Sequence, residues 1–145
     1  MCALIALDMS AAFDTIDHQI LSQRLNNTFG IRDKALDLIS SYLSDRTSTV
    51  KIANSSSDTT AMPYGVPQGS VLGPVLFLLY VAPLYNVVRS AATGSHSQIL
   101  FHQYADDTQL YLPIPRLQCS SHLELLESCI KSIFVWLTAN GLDWL

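Results

Sequence analysis

Apolar and polar positions change their period several times along the chain, and each change marks an element. Cys2 to Leu7 is a short apolar run that reads as a buried strand ending at Asp8. Leu21, Leu25 and Phe29 then recur at four-residue intervals, which predicts a helix from about Asp17 to Thr28 that Gly30 stops. Ala35, Leu38, Ile39, Tyr42 and Leu43 follow the spacing of a second amphipathic helix. Val50 and Ile52 alternate with Thr49 and Lys51. With the polar stretch Asn54 to Asp58 and the run Thr59 to Tyr64, they predict a hairpin. Val71 to Val88 holds no charged residue and reads as one long buried helix. Ile99 to Gln103 and Thr108 to Leu112 read as paired strands, since Leu110 and Leu112 alternate with Gln109 and Tyr111. Ser121 followed by Glu124 has the form of a capping box. It opens a helix with Leu123, Leu126, Ile130, Ile133 and Leu137 on one stripe, which Gly141 ends. The sum is an α+β fold, a small antiparallel sheet with helices packed on one face.

The chemistry concentrates where those last two strands meet, at Tyr104-Ala105-Asp106-Asp107. Adjacent carboxylates repel, and a divalent cation offsets that repulsion. The plain alternative is a polar turn, where Asp is common. Two further segments bear on the choice: Leu7-Asp8-Met9-Ser10-Ala11-Ala12-Phe13-Asp14-Thr15-Ile16-Asp17-His18 and Gly65-Val66-Pro67-Gln68-Gly69-Ser70-Val71-Leu72-Gly73-Pro74. With Tyr104 to Asp107 they resemble motifs A, B and C of reverse transcriptases, in order. Thr108-Gln109-Leu110-Tyr111 and Trp136-Leu137-Thr138-Ala139-Asn140-Gly141 resemble the non-LTR (LINE-type) retrotransposon branch.

That resemblance implies a reverse-transcriptase-like palm over residues 1–145, and RNA-directed DNA polymerase activity by two-metal nucleotidyl transfer to a primer 3′ end. Two Mg²⁺ ions, with Mn²⁺ able to substitute, would be held by Asp8, Asp106 and Asp107, which are also the catalytic residues. The resemblance makes Phe13, five residues after Asp8, a steric gate under the sugar of the incoming nucleotide. Gln68 and Gly69 would meet the nucleotide and the template base, and Tyr104 the primer end. RNA template, DNA primer and deoxynucleoside triphosphates are the implied partners. The local alternative for Asp8 is a helix N-cap, for Phe13 a core aromatic, and for Gln68 and Gly69 a simple loop-to-helix junction. Asp14 is expected to cap or brace the following helix, and Asp17 and His18 to start it.

Composition adjusts this picture. The chain has 145 residues, of which 49% are hydrophobic, enough for one domain with a core. Its formal charge is −4, with only eight Lys and Arg, although phosphate binding normally calls for a basic face. The motifs are expected to form a palm truncated at both ends, without the start of the fingers and without the thumb. A catalytically inactive remnant, or an interaction protein reusing the palm, is the rival reading. Three irregularly spaced cysteines without a secretory signal point to reduced thiols inside the cell, in nucleus or cytoplasm. Cys119, His122 and Cys129 fit no standard zinc spacing. Val71 to Val88 reaches the length of a membrane span, but Gly73, Pro74 and Pro83 interrupt it and no basic cluster flanks it. A membrane span is therefore not expected.

Overall fold

The computed structural model describes residues 2–91, 99–115 and 119–144. The chain forms two compact units, one made of Met1–Ala12 with Val81–Leu145 and the other of Phe13–Tyr80. In chain order the elements are β1 (Cys2–Leu7), β2 (Met9–Ser10), α1 (His18–Asn27), α2 (Asp33–Leu43), β3 (Thr47–Ser48), β4 (Lys51–Ile52) and β5 (Ser55–Ser56). They continue with β6 (Thr60–Ala61), α3 (Leu72–Val81), α4 (Leu84–Ala91), β7 (Leu100–Tyr104), β8 (Asp107–Pro113), α5 (Cys119–Ala139) and β9 (Asp143–Trp144).

The first unit is built on an antiparallel sheet of order β1-β8-β7. Period-two alternation sorts its residues by face. Ile5, Leu110 and Phe101 lie in one cross-strand row, and Leu7, Thr108 and Gln103 in the next. Leu7, Thr108, Leu110 and Leu112 on that face are buried. The opposite face carries the rows Leu4–Tyr111–Leu100 and Ala6–Gln109–His102. The β7–β8 hairpin therefore follows the alternation in the sequence. The expected burial of β1 does not hold: it is an edge strand, and Leu4 is 59% exposed.

Helix α4 packs against α5, and the Tyr85 ring of α4 lies 6.2 Å from Phe101 of β7. Helix α5 begins at Cys119, so Ser121 stands inside the helix rather than capping it. Its buried stripe is His122, Leu126, Cys129, Ile133 and Leu137, while Leu123 is 50% exposed. Gly141 ends it at φ +66°, with Leu142 N–H bonding Leu137 O at 3.0 Å and Gly141 N–H bonding Thr138 O at 3.1 Å. Those two bonds satisfy the last carbonyls of the helix. The chain then returns to pair β9 with β2, Met9 opposite Trp144 and Ser10 opposite Asp143. No sequence pattern announced that pairing.

The long apolar helix expected after residue 71 is two helices. Pro83 supplies no N–H, and turn bonds such as Asn86 N–H to Pro83 O at 3.0 Å replace the ladder there. By length and mean hydropathy of 1.5 alone, the stretch Leu72–Ala91 would suffice to cross a membrane. Leu76, Phe77, Tyr80, Leu84 and Val88 within it are buried in the protein, whereas Val75, Leu78 and Tyr85 are about half exposed.

In the second unit, Asp17 caps α1: its carboxylate accepts from Gln19 N–H at 2.7 Å and Ile20 N–H at 3.0 Å. Leu21 and Leu25 are buried as expected, but Phe29 is 38% exposed. Helix α2 turns Leu36, Ile39 and Leu43 toward Leu21 and Leu25 around a cavity of ≈ 120 Å³. The inward stripe thus differs from the expected one, because Leu38 is 69% exposed and Ala35 is also exposed. The predicted hairpin exists as two short ladders, β3–β6 and β4–β5. Its tip is Ala53-Asn54, and the expected loop residues Ser55 and Ser56 are strand.

One buried atom lacks a partner among the described residues, the Thr108 hydroxyl on the inner face of β8. An unsatisfied buried hydroxyl costs about 1–3 kcal/mol, and an apolar group of the same shape removes the cost. Thr108→Val is expected to raise unfolding free energy by about 1 kcal/mol in a denaturant titration. A lower stability would show that the hydroxyl is bonded after all.

Candidate functional site

The sequence-predicted residues gather in two places, one in each unit. In the first unit, β1 and β8 end together. Leu7 is opposite Thr108, which puts Asp8 and Asp107 immediately beyond that pair, and Tyr104 is opposite Asp107 across the β7–β8 ladder. Leu7 and Thr108 face inward, so alternation sends the next position outward. Asp8, Asp107 and Tyr104 are exposed accordingly, Tyr104 at 77%. Asp106 stands half-buried in the two-residue turn Ala105-Asp106. Ala105 takes φ +52°, a conformation that disfavours any residue with a Cβ, and the Gln103 amide donates to Ala105 O at 3.2 Å. The tight turn thus sets two carboxylates at the end of a sheet whose edge strand brings a third.

Asp8 is no N-cap. The helix that follows starts ten residues later under Asp17, and the Asp8 carboxylate has no hydrogen-bond partner among the described residues. The three acids suit a hard cation by donor type, since Mg²⁺ takes oxygen ligands and keeps several waters. They do not form a closed cage: among the described residues, no group of three or more His, Cys, Asp and Glu is gathered to hold a metal ion.

The second unit brings together Phe13, Gln68 and Gly69. With Pro67 and Pro74 they line an open cavity of ≈ 190 Å³. Phe13 stacks on Phe77 of α3, ring centroids 4.6 Å apart, so it is core packing on one side and cavity wall on the other. The loop carrying Gln68 is fastened by its backbone. Gly65 N–H bonds Ile16 O and Val66 N–H bonds Phe13 O, both at 2.8 Å. The Gly65 carbonyl accepts from Arg46 at 2.6 Å, and His18 Nε2 lies 2.8 Å from the same oxygen. At the start of α3, the Ser70 hydroxyl donates to Pro67 O at 2.7 Å and accepts from Gly73 N–H at 3.0 Å. The simple loop-to-helix junction is therefore elaborated into a braced loop.

Asp14 departs from expectation: it neither caps nor braces α1. Its two carboxylate oxygens accept from the Gln68 amide nitrogen at 2.9 and 3.0 Å. His18, expected only to start α1, does so and also holds the loop through Gly65, while Arg46, which holds it too, carried no signal in the sequence. Of the three residues weighed as zinc ligands, His122 and Cys129 are buried on α5. Burial pushes the Cys129 thiol up, away from the thiolate a metal requires.

Against known proteins, the profile of the family described as reverse transcriptase (RNA-dependent DNA polymerase) matches residues 1–144. The probable RNA-directed DNA polymerase from transposon BS of Drosophila melanogaster is 36% identical over 111 residues, covering 75% of this chain and 12% of that protein. The RNA-directed DNA polymerase from mobile element jockey of Drosophila funebris is 33% identical over 102 residues, covering 70% of this chain and 11% of that protein. Among solved structures, telomerase from Candida albicans, in complex with a fragment of telomeric RNA, superposes with a TM-score of 0.73 at 16% identity. The match covers 99% of this chain and 26% of that one, and it shows the fold. The match spans 12% and 11% of the length of these two curated relatives.

Proposed function

The chain belongs to the reverse transcriptase (RNA-dependent DNA polymerase) family, and from that premise we propose that it carries the nucleotidyl-transfer centre of a non-LTR retrotransposon RNA-directed DNA polymerase. The observation that carries this reading is the strand register. Asp8 arrives from one end of the chain, Asp107 and Tyr104 from the other, and all three meet on the exposed end of one sheet with Asp106 in the adjoining turn.

Each residue then has a task set by its chemistry. Asp8, Asp106 and Asp107 would hold two Mg²⁺ ions, or Mn²⁺ in their place, by hard oxygen donation. When bound, such ions would supply charge stabilisation for phosphoryl transfer. Tyr104, exposed on the same face, packs at the primer end. Phe13, which lines the cavity with Gln68 and Gly69, would clash with a ribose 2′-hydroxyl, which favours deoxynucleoside triphosphates. Gln68 and Gly69 contact the nucleotide and the template base, and the positive φ of Gly69 lets backbone approach the ligand. The template is RNA and the primer DNA, met inside the cell.

The test is extension of a DNA primer on an RNA template by the purified chain. Expected are extension with Mg²⁺ or Mn²⁺, its loss when EDTA removes the metal, and its return when Mg²⁺ is restored. The Asp106→Asn, Asp107→Asn double variant serves as the negative control. Folded protein that extends nothing under any metal would defeat polymerase activity for this chain and leave the inactive palm as the reading.

A further inference from the structure

We propose that Asp14 is a positioning residue that sets the orientation of the Gln68 side chain. The proposal rests on the nucleotide-binding reading of Gln68 and extends it to a residue with no part in that reading. The geometry is specific. The Gln68 amide nitrogen donates to both oxygens of Asp14, at 2.9 and 3.0 Å, so the amide cannot flip without setting its carbonyl oxygen against a carboxylate. With the nitrogen committed to Asp14, the carbonyl oxygen is the polar end left for a ligand. Gln68 then offers the ≈ 190 Å³ cavity it lines with Phe13 and Gly69 a hydrogen-bond acceptor rather than a donor.

The two residues sit 54 positions apart on segments that are already locked together. Val66 N–H to Phe13 O and Gly65 N–H to Ile16 O, both 2.8 Å, fix the backbones on either side. Little further freedom is lost in forming the bond, and charge assistance makes it a strong one of its kind. Because both side chains are exposed, the pair adds little to stability. Its effect lies in which face of the amide the cavity meets.

Two measurements on the full chain test this. The first follows exchange of the Gln68 side-chain amide protons by NMR, assigned by their loss in Gln68→Glu. Exchange in the wild type is expected to be slower, by about fivefold or more, than in Asp14→Ala; equal rates would overturn the proposal whatever nucleotides do. The second is the dissociation constant for dATP with Mg²⁺. Asp14→Ala and Gln68→Ala are each expected to weaken binding about tenfold, and the double variant no further than either alone. Asp14→Asn, whose carbonyl still accepts from the Gln68 amide, is expected to recover most of the loss. Additive losses, or no recovery by Asn, would reduce Asp14 to a structural role and overturn the proposal. Slow exchange in a wild type that binds no dATP would instead defeat the nucleotide-binding reading, and the positioning role with it.

Discussion

Asp8→Asn should reduce primer extension by roughly a thousandfold while leaving the melting temperature unchanged or slightly higher. The loss follows from removing one of the oxygen donors proposed to hold the metals, comparable to deleting a preorganised transition-state contact, which costs about 10²–10³ in rate. The stability half depends on chain separation. Asp8 lies 98 positions before Asp106 in the sequence, so its repulsion by Asp106 and Asp107 exists only once the sheet has formed. Like charges at neighbouring cross-strand positions destabilise by a few tenths to about 1 kcal/mol, and the Asp8 carboxylate has no hydrogen bond among the described residues to lose. Added Mg²⁺ should raise the melting temperature of the wild type by mass action and do little for Asp8→Asn. A variant that melts well below the wild type, with or without Mg²⁺, would show Asp8 to be a structural residue.

Gly65→Ala should be among the most destabilising single substitutions in the second unit, at about 3 kcal/mol or more. Gly65 has φ +80°, and a Cβ built on it would stand 2.8 Å from both Cα and O of Asp14. Those atoms are backbone and cannot swing aside. Relieving the clash must open the Gly65–Ile16 and Val66–Phe13 bonds and disturb the carbonyl on which Arg46 and His18 converge. Gly69→Ala is the matched control. Its φ is +79°, but nothing lies within 4 Å of the new methyl, so only the left-handed strain of about 1–2 kcal/mol remains. Chemical denaturation of the two variants separates the terms. Equal losses would mean that the close approach of the Gly65 loop to Asp14 contributes nothing.

What the sequence disclosed depended on the range of the interactions involved. The β7–β8 hairpin was legible because its alternation is local and its turn is two residues long. Asp17 was legible as a helix-start residue for the same reason, but the cap it forms had been expected of Asp14. The inward stripe of α2 was not: Ala35, Leu38 and Tyr42 form as regular a stripe as Leu36, Ile39 and Leu43, and only packing on α1 decides between them. Pro83 was visible, yet whether it kinks or breaks a helix depends on the turn bonds that replace the lost one. The β2–β9 pairing joins Met9 to Trp144 through two residues on each side, too short to leave a periodic trace. For the site, the acidic residues stood out by type and motif order, and register alone revealed that Asp8 and Asp107 adjoin. The Asp14–Gln68 bond, between two ordinary polar residues, had no local signature.

The hairpin between Arg46 and Met62 has a consequence for how this sequence can change over generations. Every residue from 47 to 61 is exposed, and its base is closed by Met62 N–H on Arg46 O at 2.8 Å. Arg46 in turn anchors to Gly65, so the ribbon projects from a knot tied beneath it. Lengthening a loop at its tip costs only about 0.6 kcal/mol per doubling, and nothing below the knot registers the change. Ala53-Asn54 is thus a place where insertions and deletions can accumulate among descendants of this chain while Phe13, Gln68 and Gly69 keep their positions.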